Sequence, residues 1–211
     1  MHVPTDVDEV TKLHVERAVD SLVDDFGDRY PRSLIERLVR DSFAQLRSGA
    51  ELSEFLPTLA HRFARERLLA SDRERGIGHV EVLFVGLGDT GRSQMAAALT
   101  TVRSESRIVA HSAGSTASQA IDSAVVEVMA ELDIDLGEAY AKPLSEEVLR
   151  AADIVVTMGR SVGRVDVPNE TRHIDWRVGD PTGADVDEVR VVRDDIDRRV
   201  QGLVSELLNH P

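Results

Sequence analysis

Residues 79–98 read HVEVLFVGLGDTGRSQMAAA, and this stretch decides the fold. Its opening run, His79 to Val85, is rich in the β-branched and aromatic side chains that suit a buried strand. Gly86, Gly88 and Gly91 follow at once, and Gln94 to Thr101 has the composition of a helix. A strand that breaks into glycines and restarts as a helix is the opening unit of an α/β fold.

Working outward, the alternation continues. Arg107–His111 (RIVAH) reads as a second strand, Ile121–Leu132 as a helix, Glu146–Ala151 as another and Ile154–Met158 (IVVTM) as a third, buried strand. A short fourth strand is expected at Thr171–Ile174, and Asp185–Leu208 as a long final helix. Strands and helices alternating at these lengths imply a parallel sheet flanked by helices. Upstream the pattern differs. Three stretches carry apolar residues at helical spacing: about Asp8 to Phe26, ended by Gly27; a second from Pro31 to just before Gly49; and a third from about Leu52 to Ser71. We therefore expect a three-helix bundle over residues 1–75, the polar, glycine-containing segment 71–79 (SDRERGIGH) as linker, and an α/β domain over 79–211. So small a bundle is marginal as a lone core, so its surplus Leu and Phe side chains point to a homodimer or to packing on the second domain.

Composition narrows the function classes. The 211 residues carry a net charge of −13, which disfavours nucleic acid and anionic membrane as bulk partners, so any bound anion needs a local device. No apolar run approaches the length of a membrane span, and the N-terminus lacks the order of a secretory signal; a cytoplasmic protein is expected. There is no cysteine, which excludes disulfides, thiolate metal sites and thiol nucleophiles together. No metal set and no cofactor are expected.

The loop Gly86-Leu87-Gly88-Asp89-Thr90-Gly91-Arg92-Ser93 admits three readings. As G-x-G-x-x-G between strand and helix it fits the dinucleotide fingerprint, but His111 stands where that motif needs an acidic residue for a ribose hydroxyl. As a nucleotide-binding P-loop it has Arg92 in place of the lysine, and IVVTM runs into Gly159 rather than a magnesium-binding aspartate. The third reading uses the whole second region.

From residue 79 onward the chain resembles the low-molecular-weight protein tyrosine phosphatase and arsenate reductase family, most closely its actinobacterial arsenate reductase branch. The resemblance is carried by VGLGDTGRSQMAAA (85–98), HSAGS (111–115), AKPL (141–144), ADIVVTMG (152–159), Asp180-Pro181 and VRDDIDRRV (192–200). The helical region also resembles the bundle that precedes this domain in some members, through LHVERAVDSLVDDF (13–26) and FLPTLAHRFARERLLA (55–70). It implies a four-stranded parallel sheet of order 2-1-3-4 and a loop that binds phosphate, sulfate or arsenate.

In that family the loop is Cys-x5-Arg-Ser and its thiolate attacks phosphorus or arsenic; here Gly86 occupies the position, so no covalent intermediate of that kind can form. Artificial removal of a cysteine would ordinarily leave serine or alanine. Neither Thr90 nor Ser93 has a base at a defined spacing. The oxyanion cradle is retained: the amides of residues 87–92, the start of the helix near Gly91, and the two-pronged donor of Arg92. Asp89, where the family usually has asparagine, is expected to place a negative charge close to the anion and weaken binding. Asp180 matches the family's general acid, although an Asp-Pro pair also simply starts a turn. Arg160 and Arg164 stand where thioredoxin-linked members carry resolving cysteines, and read otherwise as exposed loop arginines. His111 reads as a residue at a strand end, Lys142 as a solvated lysine or an anion contact, and Trp176 and Tyr140 as packing residues. Two functions stay open: a catalytically silent oxyanion-binding or interaction protein, and an enzyme of the same substrate class working without cysteine.

Overall fold

A computed structural model describes residues 6–47, 55–73, 79–116, 120–159 and 162–209, with side chains described from residue 12. The chain divides into two compact units, 1–72 and 73–211.

The first unit is built from α1 (Asp6–Phe26), α2 (Arg32–Arg47) and α3 (Leu56–Ser71). Pro31 sets the first turn of α2, whose buried residues Ile35, Leu38, Val39, Ser42 and Leu46 recur every three or four positions and so share one face. Of these, Ile35, Leu38 and Val39 meet Val15, Val19, Leu22 and Phe26 of α1 and Ala64 and Leu68 of α3 in one cluster. Arg67 closes the bundle from α3: it is buried, and its guanidinium donates to Asp41 (2.7 Å) and to the Ser42 hydroxyl (3.2 Å) of α2. The helix expected from Leu52 is described only from Leu56, with Pro57 in its first turn; residues 48–54 lie outside the described residues, as do 74–78 of the expected linker.

The second unit contains β1 (Val80–Gly86), α4 (Arg92–Arg103), β2 (Ile108–Gly114), α5 (Ser123–Ala130), α6 (Glu146–Ala151), β3 (Ile154–Met158), β4 (Arg172–Trp176) and α7 (Val186–Asn209). The strands form one parallel sheet in the order β2-β1-β3-β4, as the sequence implied. Val82 and Phe84 of β1 and Ile154, Val156 and Met158 of β3 join Met95 and Leu99 of α4 and Val189, Ile196 and Val200 of α7 in the main core. The intervening Leu83, Val85 and Val155 are buried as well, the pattern of central strands covered on both faces. Among the described residues no helix is long and apolar enough to cross a membrane.

Two strands run past their expected ends. β2 continues beyond His111 because Ser112, Ala113 and Gly114 keep pairing with Phe84, Val85 and Gly86. His111 is thus inside the strand, its Nε2 3.5 Å from Glu81, which in turn pairs with Arg73 (3.0 Å). β4 reaches Trp176, whose ring lies 5.6 Å from that of Phe84 and which is buried in the core, as a packing residue should be. α5 is shorter than the expected 121–132: Asp122 caps it by accepting from the Ala124 amide (2.9 Å), and residue 133 turns to positive φ beyond its end.

Candidate functional site

Ligands of parallel α/β sheets sit outside the carboxyl ends of the strands, and there the 86–93 loop leaves β1 and enters α4. Its shape is set from outside. The carbonyls of Gly86, Leu87 and Thr90 accept from the amides of Ser115 (3.0 Å), Thr116 (2.8 Å) and Asp122 (3.0 Å). In a trans peptide the N–H points opposite its C=O, so the amides of Leu87, Gly88 and Gly91 face away from those outer partners. Gly114 permits the close approach: a Cβ there would lie 2.8 Å from the Gly88 carbonyl carbon and 2.9 Å from the Asp89 nitrogen. The AKPL segment locks it in place, with Gly114 donating to the Lys142 carbonyl (2.8 Å) and Leu144 to the Gly114 carbonyl (3.0 Å).

Arg92 leaves the loop as the first residue of α4 and is largely buried. It crosses Gly159, where φ is +93° and a Cβ would lie 2.5 Å from Nη1, so only glycine leaves the guanidinium its path. Its Nη2 is 3.4 Å from Asp180 Oδ2. Asp180 is half-exposed, and its other oxygen accepts from the Thr182 amide (3.2 Å) and hydroxyl (2.9 Å). The turn-starting role of Asp180 and its position over the loop arginine therefore coexist.

Asp89 departs from expectation. Its backbone is left-handed (φ 56°), which an aspartate tolerates, and its side chain turns into the fold with 1% exposure instead of standing at the mouth. One oxygen accepts from Ser93 Oγ (2.8 Å); the other from Gln94 Nε2 (2.8 Å), the Lys142 amide (2.9 Å) and Ser112 Oγ (3.3 Å). Burial pushes the carboxyl up to about 6, against the opposing charge of Lys142 and the hydrogen bonds from Lys142, Ser93 and Ser112. The carboxylate thus ties the loop to α4, β2 and the AKPL segment. It also supplies Ser93 with the adjacent base that spacing along the chain did not reveal.

Gly86 ends β1, buried. A Cβ there would meet Ser93 Oγ at 3.0 Å and nothing nearer, so the position faces the serine hydroxyl. Leu87 is the exposed residue of the loop, Gly88 and Thr90 are half-buried, and Gly91 lies under Pro181 and Val125. Lys142 holds its ammonium 5.7 Å from the Tyr140 ring centroid, while its backbone amide serves Asp89. Arg164 is exposed and paired with Asp166 (3.0 Å); Arg160 lies outside the described residues. Gln94, Ser112 and Gly159 belong to this constellation although the sequence reading gave them no role. Among the described residues no cluster of three or more His, Asp or Glu side chains is placed to hold a metal ion.

Sheet order, the strand–loop–helix junction and an arginine at the loop exit define a doubly wound α/β protein with a glycine-rich loop after its first strand. The chain belongs to the low molecular weight phosphotyrosine protein phosphatase family, whose sequence model matches residues 81–210. Residues 15–71 match the protein-tyrosine-phosphatase-like N-terminal domain. A Halobacterium salinarum protein with the provisional name arsenate reductase is 37% identical over 129 residues, 58% of this chain and 89% of that protein. Corynebacterium glutamicum thioredoxin-dependent arsenate reductase Cg_ArsC1' superposes with a TM-score of 0.83 at 28% identity, covering 93% of this chain and 98% of that one. An arsenate reductase solved in its phosphate-binding state aligns at 26% identity with a TM-score of 0.55, covering 61% of this chain and 98% of that one.

Proposed function

We propose that this protein binds a phosphate-like oxyanion in the 86–93 loop and has lost the covalent chemistry of its family. The observation that carries the reading is Gly86 at the loop's first position, in a loop whose Gly86, Leu87 and Thr90 carbonyls are engaged from outside and whose arginine is held in place. The loop amides, the N-terminus of α4 and Arg92 favour an anion, and a hydrogen atom at residue 86 attacks nothing. Arsenate and phosphate are the expected ligands, and the phosphate-binding state of the related arsenate reductase supports that choice. Calorimetric titration with phosphate and arsenate, alongside turnover assays with an aryl phosphate and with arsenate plus a thiol, tests it. Binding without turnover is the expected result; failure to bind either anion overturns it.

The contact between Ser93 Oγ and Asp89 favours a second reading, in which the site hydrolyses a phosphate ester without cysteine: water attacks phosphorus, its proton passing through the Ser93 hydroxyl to the Asp89 carboxylate, while Asp180 protonates the departing alcohol oxygen. Aryl phosphate turnover that Asp89→Ala abolishes would establish it. For the helical unit we propose self-association, supported by the exposed Leu13, Phe55 and Leu69. Light scattering of the full chain as a monomer would refute that.

A further inference from the structure

Ser93 is where the loop meets the buried carboxylate. Its hydroxyl donates to Asp89 Oδ1 (2.8 Å), and its oxygen lies 3.0 Å from the Cβ position of residue 86, so no side chain of that residue covers it. A hydroxyl has one hydrogen and two lone pairs. While the hydrogen is committed to Asp89, Ser93 offers the loop lone pairs only. The other Asp89 oxygen holds that arrangement in place: the Lys142 amide can only donate, and Gln94 Nε2 is oriented by a second acceptor, the Tyr140 carbonyl (3.0 Å).

We propose that the Asp89–Ser93 pair makes the floor of the loop a hydrogen-bond acceptor, so that the site selects oxyanions carrying a proton, hydrogen phosphate or hydrogen arsenate, over sulfate. The inference rests on the oxyanion-binding reading above and specifies its ligand. A sulfate oxygen at the floor would face the serine lone pair acceptor to acceptor, whereas a P–OH or As–OH group donates to it.

Protonation of Asp89 reverses the polarity. The proton settles on the oxygen facing Ser93, because that hydroxyl can rotate to accept it while the second oxygen keeps two fixed donors. The Ser93 hydrogen then turns toward the loop and the floor becomes a donor, which admits sulfate. Lys142 is the charged group acting on this carboxyl, from the AKPL segment; the contacts from α4 (Ser93, Gln94) and β2 (Ser112) are neutral. With the carboxyl pushed up to about 6 by burial, the change falls in the pH range just around that value. Asp89→Asn mimics the protonated state at every pH: its carbonyl must face the Gln94 and Lys142 donors, leaving its NH2 to donate to Ser93.

Calorimetric titration of the full chain with sodium phosphate and sodium sulfate, at constant ionic strength and at pH 7.5 and 5.0, tests this. At pH 7.5 phosphate should bind about tenfold or more tightly than sulfate, and the ratio should shrink toward one at pH 5.0. Asp89→Asn and Ser93→Ala should each bring the ratio toward one at pH 7.5, their folding checked by thermal melts; should Asp89→Asn not fold, Ser93→Ala and the wild-type pH series decide. Equal phosphate and sulfate affinities at pH 7.5, or a preference that survives Ser93→Ala, overturns the inference and leaves oxyanion binding intact. Binding of neither anion at either pH overturns both.

Discussion

Asp89→Asn should change the pH dependence of stability in a calculable way. Burial raises the Asp89 carboxyl from 3.8 to about 6, so between those values the folded state holds a proton that the unfolded chain has released. Its contribution is therefore fully present below about pH 4 and is lost as pH rises through 6, the reverse of an ordinary paired carboxylate. Over the whole range the shift is worth on the order of 3 kcal/mol, and integrating the two titrations leaves about 2 kcal/mol of it between pH 4.5 and 7.5. Urea unfolding followed by fluorescence measures it well: Trp176 is the protein's single tryptophan, buried against Phe84, and reports on the second unit. The stability of wild type minus that of Asp89→Asn should fall by about 2 kcal/mol from pH 4.5 to 7.5. Carboxyls such as Glu131, held at about 2 by hydrogen bonds from Arg190 and Arg193, pull in the opposite direction but are common to both proteins and cancel. A difference that stays flat across this range would refute the assignment of a raised, buried carboxyl to Asp89.

Gly86→Cys should yield a thiol with a pKa below the usual value of about 8.5, because the α4 N-terminus and Arg92 favour the thiolate, and iodoacetamide labelling against pH measures it. Aryl phosphate turnover should be small in that variant and clearly larger when Asp89→Asn is added, since the asparagine frees the Ser93 hydrogen to face the sulfur; a thiol of unperturbed pKa and no turnover in either would mean that the resemblance is one of fold alone. Gly159→Ala should lower the melting temperature, because φ of +93° strains any residue with a Cβ, and should also weaken phosphate binding about tenfold, because that Cβ would displace an Arg92 terminal nitrogen now 2.5 Å away. Gly114→Ala should lower the stability of the second unit by about 1–3 kcal/mol in the same urea assay, since the obstacle at 2.8 Å is loop backbone and not a flexible side chain.

Much of the fold was legible along the chain because its signals are local. The apolar run of β1, the all-apolar β3 and the three-and-four spacing of α2 and α7 each report burial within one element, and the bounds of α6 and β3 were read directly. Strand ends were less legible. Nothing in His111-Ser112-Ala113-Gly114 alone distinguishes a continuing strand from a loop; pairing with Phe84, Val85 and Gly86 decides it.

By itself the sequence determined the family, the sheet order implied by that resemblance, the absence of any thiol and the place of Gly86 in the loop. Tertiary structure decided which way Asp89 faces. Read along the chain, that aspartate lies in a loop proposed to bind anions and promises repulsion at its mouth. Folded, it is buried among Ser93, Gln94, Ser112 and the Lys142 amide, two of them 23 and 53 residues away. Direction and burial of a side chain depend on donors brought from distant segments, and no local periodicity encodes them; a buried carboxylate takes the orientation in which its oxygens are hydrogen-bonded.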